Sequence, residues 1–387
     1  MMYSPTRVGR LLVLFLLSVA ASVPTNAEDK PLKVYVLCGQ SNMQGHAHVR
    51  TFEHIGMDPK TLPMLDLMQG EDGKPTVCED VWISSIGSSE KEKFGRLTAG
   101  YGATQNGPKI GPEFTFGIYM QKLVNEPILI IKTAWGGKSL HTDFRPPSAG
   151  PYVFNENQLQ QMKKQGKDLE KEKAKRAEAT GHYYRLMVEH VQHVLADVSR
   201  VYPNYDKKRG HKLAGFVWFQ GWNDMVDRGV YPNRDKPSGY DAYSTVMAHF
   251  IRDVRKDLNA PNLPFVIGVM GAGGKIENYT ADQQRYTAIH SNFRNAMAAP
   301  ADLPEFKGNV VALRTAEFWD NELHQLRATD AKLKQTVNAK KKQDKLTAQQ
   351  AKETLAQLRA TKFDERELKI LETATSNFEF HYLGSAK

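Results

Sequence analysis

The chain has 387 residues, 41% of them hydrophobic, which is enough apolar material for a full core and a length that suggests two or three domains. The formal net charge is +9, but the lysines concentrate in two stretches that are also rich in acids. These read as solvated helix faces, so nucleic acid is not an expected partner, and with two cysteines and no Cys/His cluster of ligand spacing neither a metal nor a cofactor is expected.

In chain order, Arg7 and Arg10 precede an apolar run over 11–23, followed by small residues around Thr25-Asn26-Ala27. This pattern is that of an export signal over 1–27, cleaved after Ala27, which leaves a secreted or periplasmic domain over 28–387. The apolar run is too short to span a bilayer and nothing later is longer, so stable membrane insertion is not expected after cleavage. A β-branched and aromatic run at 33–37 then reads as a strand that ends in Cys38-Gly39-Gln40-Ser41-Asn42-Met43. One reading of this block is a turn with Ser41 as a helix N-cap. The other is a serine at a strand tip, where the amides of a following helix would stabilise an oxyanion. Cys38 and Cys78 could pair in an exported protein, although a free buried thiol is common at the end of a core strand.

Further strands are expected at 81–84, 127–133, 215–219, 264–269 and 309–313, and helices at 113–123, 182–201, 240–258 and 281–298. Strands this uniformly apolar are covered on both faces, so the alternation predicts a mainly parallel sheet between helices, a three-layer α/β/α sandwich. Such sheets carry their sites at the carboxyl ends of the strands. The unusual sequences fall at those ends: the Ser41 block, Trp135-Gly136-Gly137-Lys138-Ser139, and Gln220-Gly221-Trp222-Asn223-Asp224. Two charged stretches, 157–179 and 322–375, read as helical insertions. The second has apolar residues at Leu323, Leu326, Leu333 and Val337, interrupted by Asp330, then a Thr347/Gln350 capping box. It is expected to stand off the domain as a helical hairpin and is a candidate surface for homo-oligomer formation.

Near the end of the chain comes Phe378-Glu379-Phe380-His381-Tyr382-Leu383-Gly384-Ser385. A serine nucleophile needs a base within hydrogen-bond reach, and that histidine is often distant in sequence. With this block in place, the chain resembles the SGNH hydrolase superfamily, in particular its sialate O-acetylesterase and carbohydrate esterase family 6 (acetylxylan esterase) branch. The match rests on Gly39-Gln40-Ser41-Asn42-Met43, Gly111-Pro112-Glu113-Phe114, the Gly136-Gly137 segment, the Gln220 block and His381. The resemblance implies a flavodoxin-like sheet and a serine esterase without cofactor. Ser41 would attack an acetyl carbonyl and His381 would act as base. The Ser41 and Gly111 amides and the Gln220 side chain would hold the oxyanion. Relatives commonly carry an Asp three residues before the histidine, where this chain has Phe378, and a Glu where it has Trp222. The orienting acid is therefore expected to be Asp224, with Glu379 or a backbone carbonyl as the alternatives.

Gln40, Asn42, Trp135, Gly136, Gly137 and Trp222 are expected to border an acetylated oligo- or polysaccharide, while Trp218, inside a strand, reads as core. His46, His48, His141, Asp143 and Arg145 could line the same cleft or sit in solvated loops. Two functional classes remain: an exported carbohydrate O-acetylesterase, and a glycan-binding or scaffold protein of the same fold weakened in catalysis.

Overall fold

The computed structural model describes residues 30–89, 91–104 and 107–374. The stretch read as an export signal, together with Glu379 and His381, lies outside the described residues. The chain enters as β1 (Leu32–Gly39), turns through the single-turn α1 (Ser41–Gln44) and the short β2 (Ala47–His48), and passes α2 (Thr51–Gly56) and α3 (Leu62–Met68). β3 (Val81–Gly87) and β4 (Lys93–Arg96) form a hairpin, β5 (Lys109–Ile110) pairs with β2, and α4 (Pro112–Val124) leads to β6 (Ile128–Ala134). α5 (Glu156–Lys164), α6 (Leu169–Ala179) and α7 (His182–Ala196) precede β7 (His211–Phe219). Then come α8 (Trp222–Val226), α9 (Asp241–Asp257), β8 (Phe265–Val269), α10 (Thr287–Ala298) and β9 (Val310–Arg314), and α11 (Asn321–Gln343), α12 (Ala348–Lys362) and α13 (Glu365–Thr373) follow.

The main sheet has seven strands in the order β4-β3-β6-β1-β7-β8-β9, parallel except for β4 at one edge. β1 lies at its centre, with Val36 opposite Ile131 on one side and Phe216 on the other. Alternation along β1 splits the core in two. Val34, Val36 and Cys38 face the layer built with α7, α9 and α10, whereas Tyr35 and Leu37 face the layer built with α2, α3 and α4. This is a three-layer α/β/α sandwich, as the alternation of strands and helices predicted. Trp218 is fully buried in the first layer, as its place in a strand implied.

Glycine is required where β1 ends. A Cβ on Gly39 would lie 2.1 Å from the Phe219 carbonyl oxygen, so only a bare backbone lets β1 and β7 approach this closely at the site. Gly45, which ends α1 at φ 88°, sits against Gly111, and a Cβ there would lie 2.3 Å from the Gly111 Cα.

Three expectations change. The 157–179 insertion is two helices, broken at Gly166 with φ 64°. The helix expected from 281 starts at Thr287, because Thr280 gives its N–H and hydroxyl to Gln283 and the chain turns in short 3-10 steps first. The 322–375 insertion does not stand off: Leu323, Phe363, Ile370 and Ala374 are buried in the same core as β1, and a third helix closes it. Asp330, the break in the heptad, accepts both the Nε and the Nη2 of Arg359, at 2.6 and 2.8 Å, and so joins α11 to α12. The Thr347/Gln350 capping box is present. Both cysteines are free, Cys38 buried and Cys78 half-buried, with burial pushing the Cys78 thiol up to about 11. No helix among the described residues is long and apolar enough to cross a membrane.

Candidate active site

Ser41 is the first residue of α1 and only 6% exposed. The N-cap position belongs to Gln40, and no side chain caps the helix, so Ser41 does not play the N-cap part. Ser41 thus sits where the central strand gives way to a helical turn whose first N–H groups have no acceptor within the turn. The glycine-rich loop after β6 approaches it: a Cβ added to Gly136 would lie 3.9 Å from the Ser41 Cβ and 3.2 Å from the Gln44 Oε1. Gly137 follows at φ 76° and is exposed. Ser41 and Gly136 are therefore close neighbours at the ends of β1 and β6, while a Cβ on Gly137 would meet nothing within 4 Å. A cleft of about 50 Å³ is lined by Gln44, Gly87, Ser88, Lys91, Lys93 and Thr104 among others.

Four expected roles do not fit the hydrogen bonding and packing. Gln40 is 1% exposed and faces inward: its Oε1 accepts the Gly221 N–H at 2.9 Å and its Nε2 donates to the Asn223 Oδ1 at 3.0 Å. It fastens α8 to β1, and its Nε2 also lies 3.4 Å from the Ser41 Oγ as a donor. Gln220 gives its two amide hydrogens to the Lys138 carbonyl at 3.1 Å and the Asp224 Oδ2 at 2.6 Å, leaving none for an oxyanion. The Gly111 N–H is already donated to the Glu113 Oε1 at 2.9 Å. Trp135 is 2% exposed, its ring packed on Phe144 and Tyr183, so it cannot stack on a sugar. The polypeptide folds back after β6 and carries that side chain into the core.

Asp224 is also committed. It is fully buried and accepts from the backbone N–H groups of Leu140 (2.7 Å) and His141 (3.0 Å), from Gln220, and from the Tyr231 hydroxyl at 3.1 Å. Those four donors fill the acceptor positions of a carboxylate, so Asp224 holds the glycine-rich loop and has no capacity left to orient a histidine. Burial raises its pKa to about 6 against the opposing pull of these hydrogen bonds. His141 packs edge-on against Tyr152 and Tyr231, and burial with the nearby Arg145 and Arg176 lowers it to about 4, so it is neutral at pH 7. Asp143 accepts from the Ser139 N–H and hydroxyl, and Arg145 donates to loop carbonyls, so both serve loop structure. His46 and His48 are half-buried behind α1, and burial and Lys109 lower both. Trp222 and Asn42 remain half-buried at the strand ends.

Residues that pattern reading passed over complete the site. Asn223 bridges to Gln40, and Tyr231 reaches Asp224. Lys132 lies buried in β6 beneath the loop that follows Ser41, paired with Glu113. A lysine continuing the strand directly after the apolar run Ile128-Leu129-Ile130-Ile131 was the available signal, because a buried ammonium requires acceptors. Among the described residues no group of three His, Cys, Asp or Glu side chains is arranged to hold a metal ion.

A parallel α/β sandwich with a serine on a single-turn helix at the end of its central strand is the arrangement that the resemblance to SGNH hydrolases implied. The family model described as "carbohydrate esterase, sialic acid-specific acetylesterase" matches residues 31–316, and the chain belongs to that family of carbohydrate esterases. The match ends in the short 3-10 turn after β9, before α11 to α13 and the His381 segment. Two solved structures are similar in part. A protein from Arabidopsis thaliana is 16% identical with a TM-score of 0.38, over 74% of this chain and 86% of that one. A carbohydrate acetylesterase from Xanthomonas citri is 12% identical with a TM-score of 0.40, over 74% of this chain and 51% of that one, so the chain spans about half the length of that protein. Among curated proteins none matches.

Proposed function

We propose that the protein is an exported serine esterase that removes O-acetyl groups from a carbohydrate, with Ser41 as nucleophile and His381 as base. The observation that carries this reading is the place of Ser41, at the tip of the central strand and facing Gly136, inside a chain that belongs to a carbohydrate esterase family. Ser41 would attack the acetyl carbonyl as His381 takes its proton. His381 would then return the proton to the leaving sugar hydroxyl, and water would release acetate from the acyl-enzyme. The Ser41 N–H would be one oxyanion donor, and losing such a donor typically costs about 3–4 kcal/mol of transition-state stabilisation.

With Asp224 engaged elsewhere, Glu379 or a backbone carbonyl would orient the imidazole.

Hydrolysis of p-nitrophenyl acetate and acetate release from acetylated xylan and O-acetylated sialosides, each beside a Ser41→Ala control, test the reading. Loss of hydrolysis in the control is expected, and equal rates would overturn it. The committed carboxylate of Asp224 favours one second reading, a glycan-binding protein weakened in catalysis. Glycan binding by the wild type without any Ser41-dependent turnover would establish that one instead.

A further inference from the structure

Beneath the Ser41 turn, three segments converge on one buried ammonium. Lys132 Nζ donates to the Gln44 carbonyl at 2.8 Å, to the Tyr101 carbonyl at 3.0 Å and to the Glu113 Oε2 at 2.5 Å. Those are the three donors an ammonium has, and all are used. The other oxygen of Glu113 accepts the Gly111 N–H at 2.9 Å. Lys132 is 1% exposed and Glu113 is fully buried. The last residue of α1, the loop at Tyr101 and the turn that opens α4 are therefore tied through two side chains.

Stability is a poor reason for this arrangement. Desolvating two charges costs several kcal/mol per ion, and apolar residues of the same volume commonly do as well or better. Such residues would leave the carbonyls of Gln44 and Tyr101 and the N–H of Gly111 without partners, and the turn carrying Ser41 would lose its footing. That turn is four residues long and makes no side-chain cap. Its own hydrogen bonds, from Gln44 N to Gln40 O at 2.8 Å and from Gly45 N to Ser41 O at 2.9 Å, fix its shape, and the Ala103 N–H donating to Gly45 O at 2.8 Å and Gln44 Nε2 donating to Ser88 Oγ at 3.0 Å join the buried pair in placing it.

We propose that Lys132 and Glu113 are positioning residues for the nucleophile: the pair sets where the Ser41 turn stands against the Gly111 turn. The inference rests on the esterase reading above, since the reaction is what makes that placement matter. Neither residue touches the reacting atoms.

The test compares wild type with Lys132→Met and with the charge-free double variant Lys132→Met/Glu113→Gln. In the double variant the amide oxygen introduced at position 113 still accepts from Gly111, and no unpaired carboxylate is buried. Lys132→Met is expected to lose both stability and kcat, with kcat for p-nitrophenyl acetate falling about 10-fold or more per folded molecule and KM within twofold. The double variant, which buries no unpaired carboxylate, is expected to regain part of the lost melting temperature without regaining kcat. Recovery of kcat together with stability would overturn the proposal, because the pair would then be structural only. Should Lys132→Met fail to fold, the double variant carries the comparison alone. Hydrogen exchange over residues 39–48 gives a readout that does not need turnover, and faster exchange in the double variant is expected. If wild type and Ser41→Ala hydrolyse equally, the esterase reading has failed. Exchange then decides the clamp by itself, and unchanged rates over 39–48 would overturn it.

Discussion

Gln220 and Asp224 stand one helical turn apart, and the amide of the first donates to the carboxylate of the second at 2.6 Å. Both lie at the carboxyl end of β7, where a catalytic amide and acid were expected, yet each is spent on the other and on the loop after β6. Asp224→Asn tests this. It preserves volume but replaces one acceptor oxygen with an NH₂ that faces a buried N–H, so we expect a loss of about 3 kcal/mol in urea unfolding. An unchanged unfolding midpoint would mean that the carboxylate does not hold the loop.

His190 predicts how the protein responds to acid. Its Nε2 lies 3.0 Å from the Ser84 hydroxyl, the residue is 7% exposed, and burial lowers its pKa from 6.5 to about 4 despite the opposing charge of Glu92. Between those values the unfolded chain binds a proton that the folded one does not. Stability is thus complete above about pH 6.5 and falls as the pH drops towards 4, by up to about 3 kcal/mol from this residue. His190→Gln, which can still bond Ser84, should flatten that fall. Urea unfolding at about pH 7.5 and about pH 4.5 measures it, and an equal fall in both proteins would exclude His190 as its source.

Trp135 was expected in the cleft and is found in the core. Trp135→Ala should therefore destabilise by about 3–5 kcal/mol, read from the midpoint of denaturant unfolding. Trp135→Phe should leave the KM for an acetylated oligosaccharide within twofold. A large rise in KM with stability intact would return the ring to the substrate.

Arg359 grips Asp330 across the two long helices, and Asp330 is almost fully buried while Arg359 is a third exposed. Lys334 also reaches Asp330, at 2.8 Å, so the carboxylate keeps one partner when Arg359 is removed. We expect Arg359→Met to cost only about 1–2 kcal/mol, softened by solvent on the arginine side. Faster hydrogen exchange should be confined to α11 and α12. A global acceleration would show that the helices and the sheet unfold as one.

The sheet was legible because its strands are short apolar runs closed by glycine, and because helical periods separate them. β1, β6 and β8 sit within two residues of their expected bounds. The meeting of Ser41 with Gly136 was legible for the same reason, since parallel strands deliver their ends to one edge. Direction beyond a strand end was not legible. Trp135, Gln40 and Gln220 have the right chemistry at the right edge, but the turn that follows decides whether a side chain meets solvent or core. Docking of the helices after β9 was hidden for a related reason. Leu323, Phe363 and Ile370 are spread over three charged helices, and their common face exists only once those helices have folded against the sheet. Asp330 looked like a break because its partner, Arg359, lies on the next helix.

The helices α11 to α13 occupy the interval between β9 and the segment that bears His381. On the proposed reading, nucleophile and base belong to opposite phases of biosynthesis: Ser41 is made with the first strand, and His381 only after the last described helix. A nascent chain would therefore carry a finished sheet and an idle serine. Esterase activity would switch on only when the closing helices, which share a core with β1, have settled on the sheet.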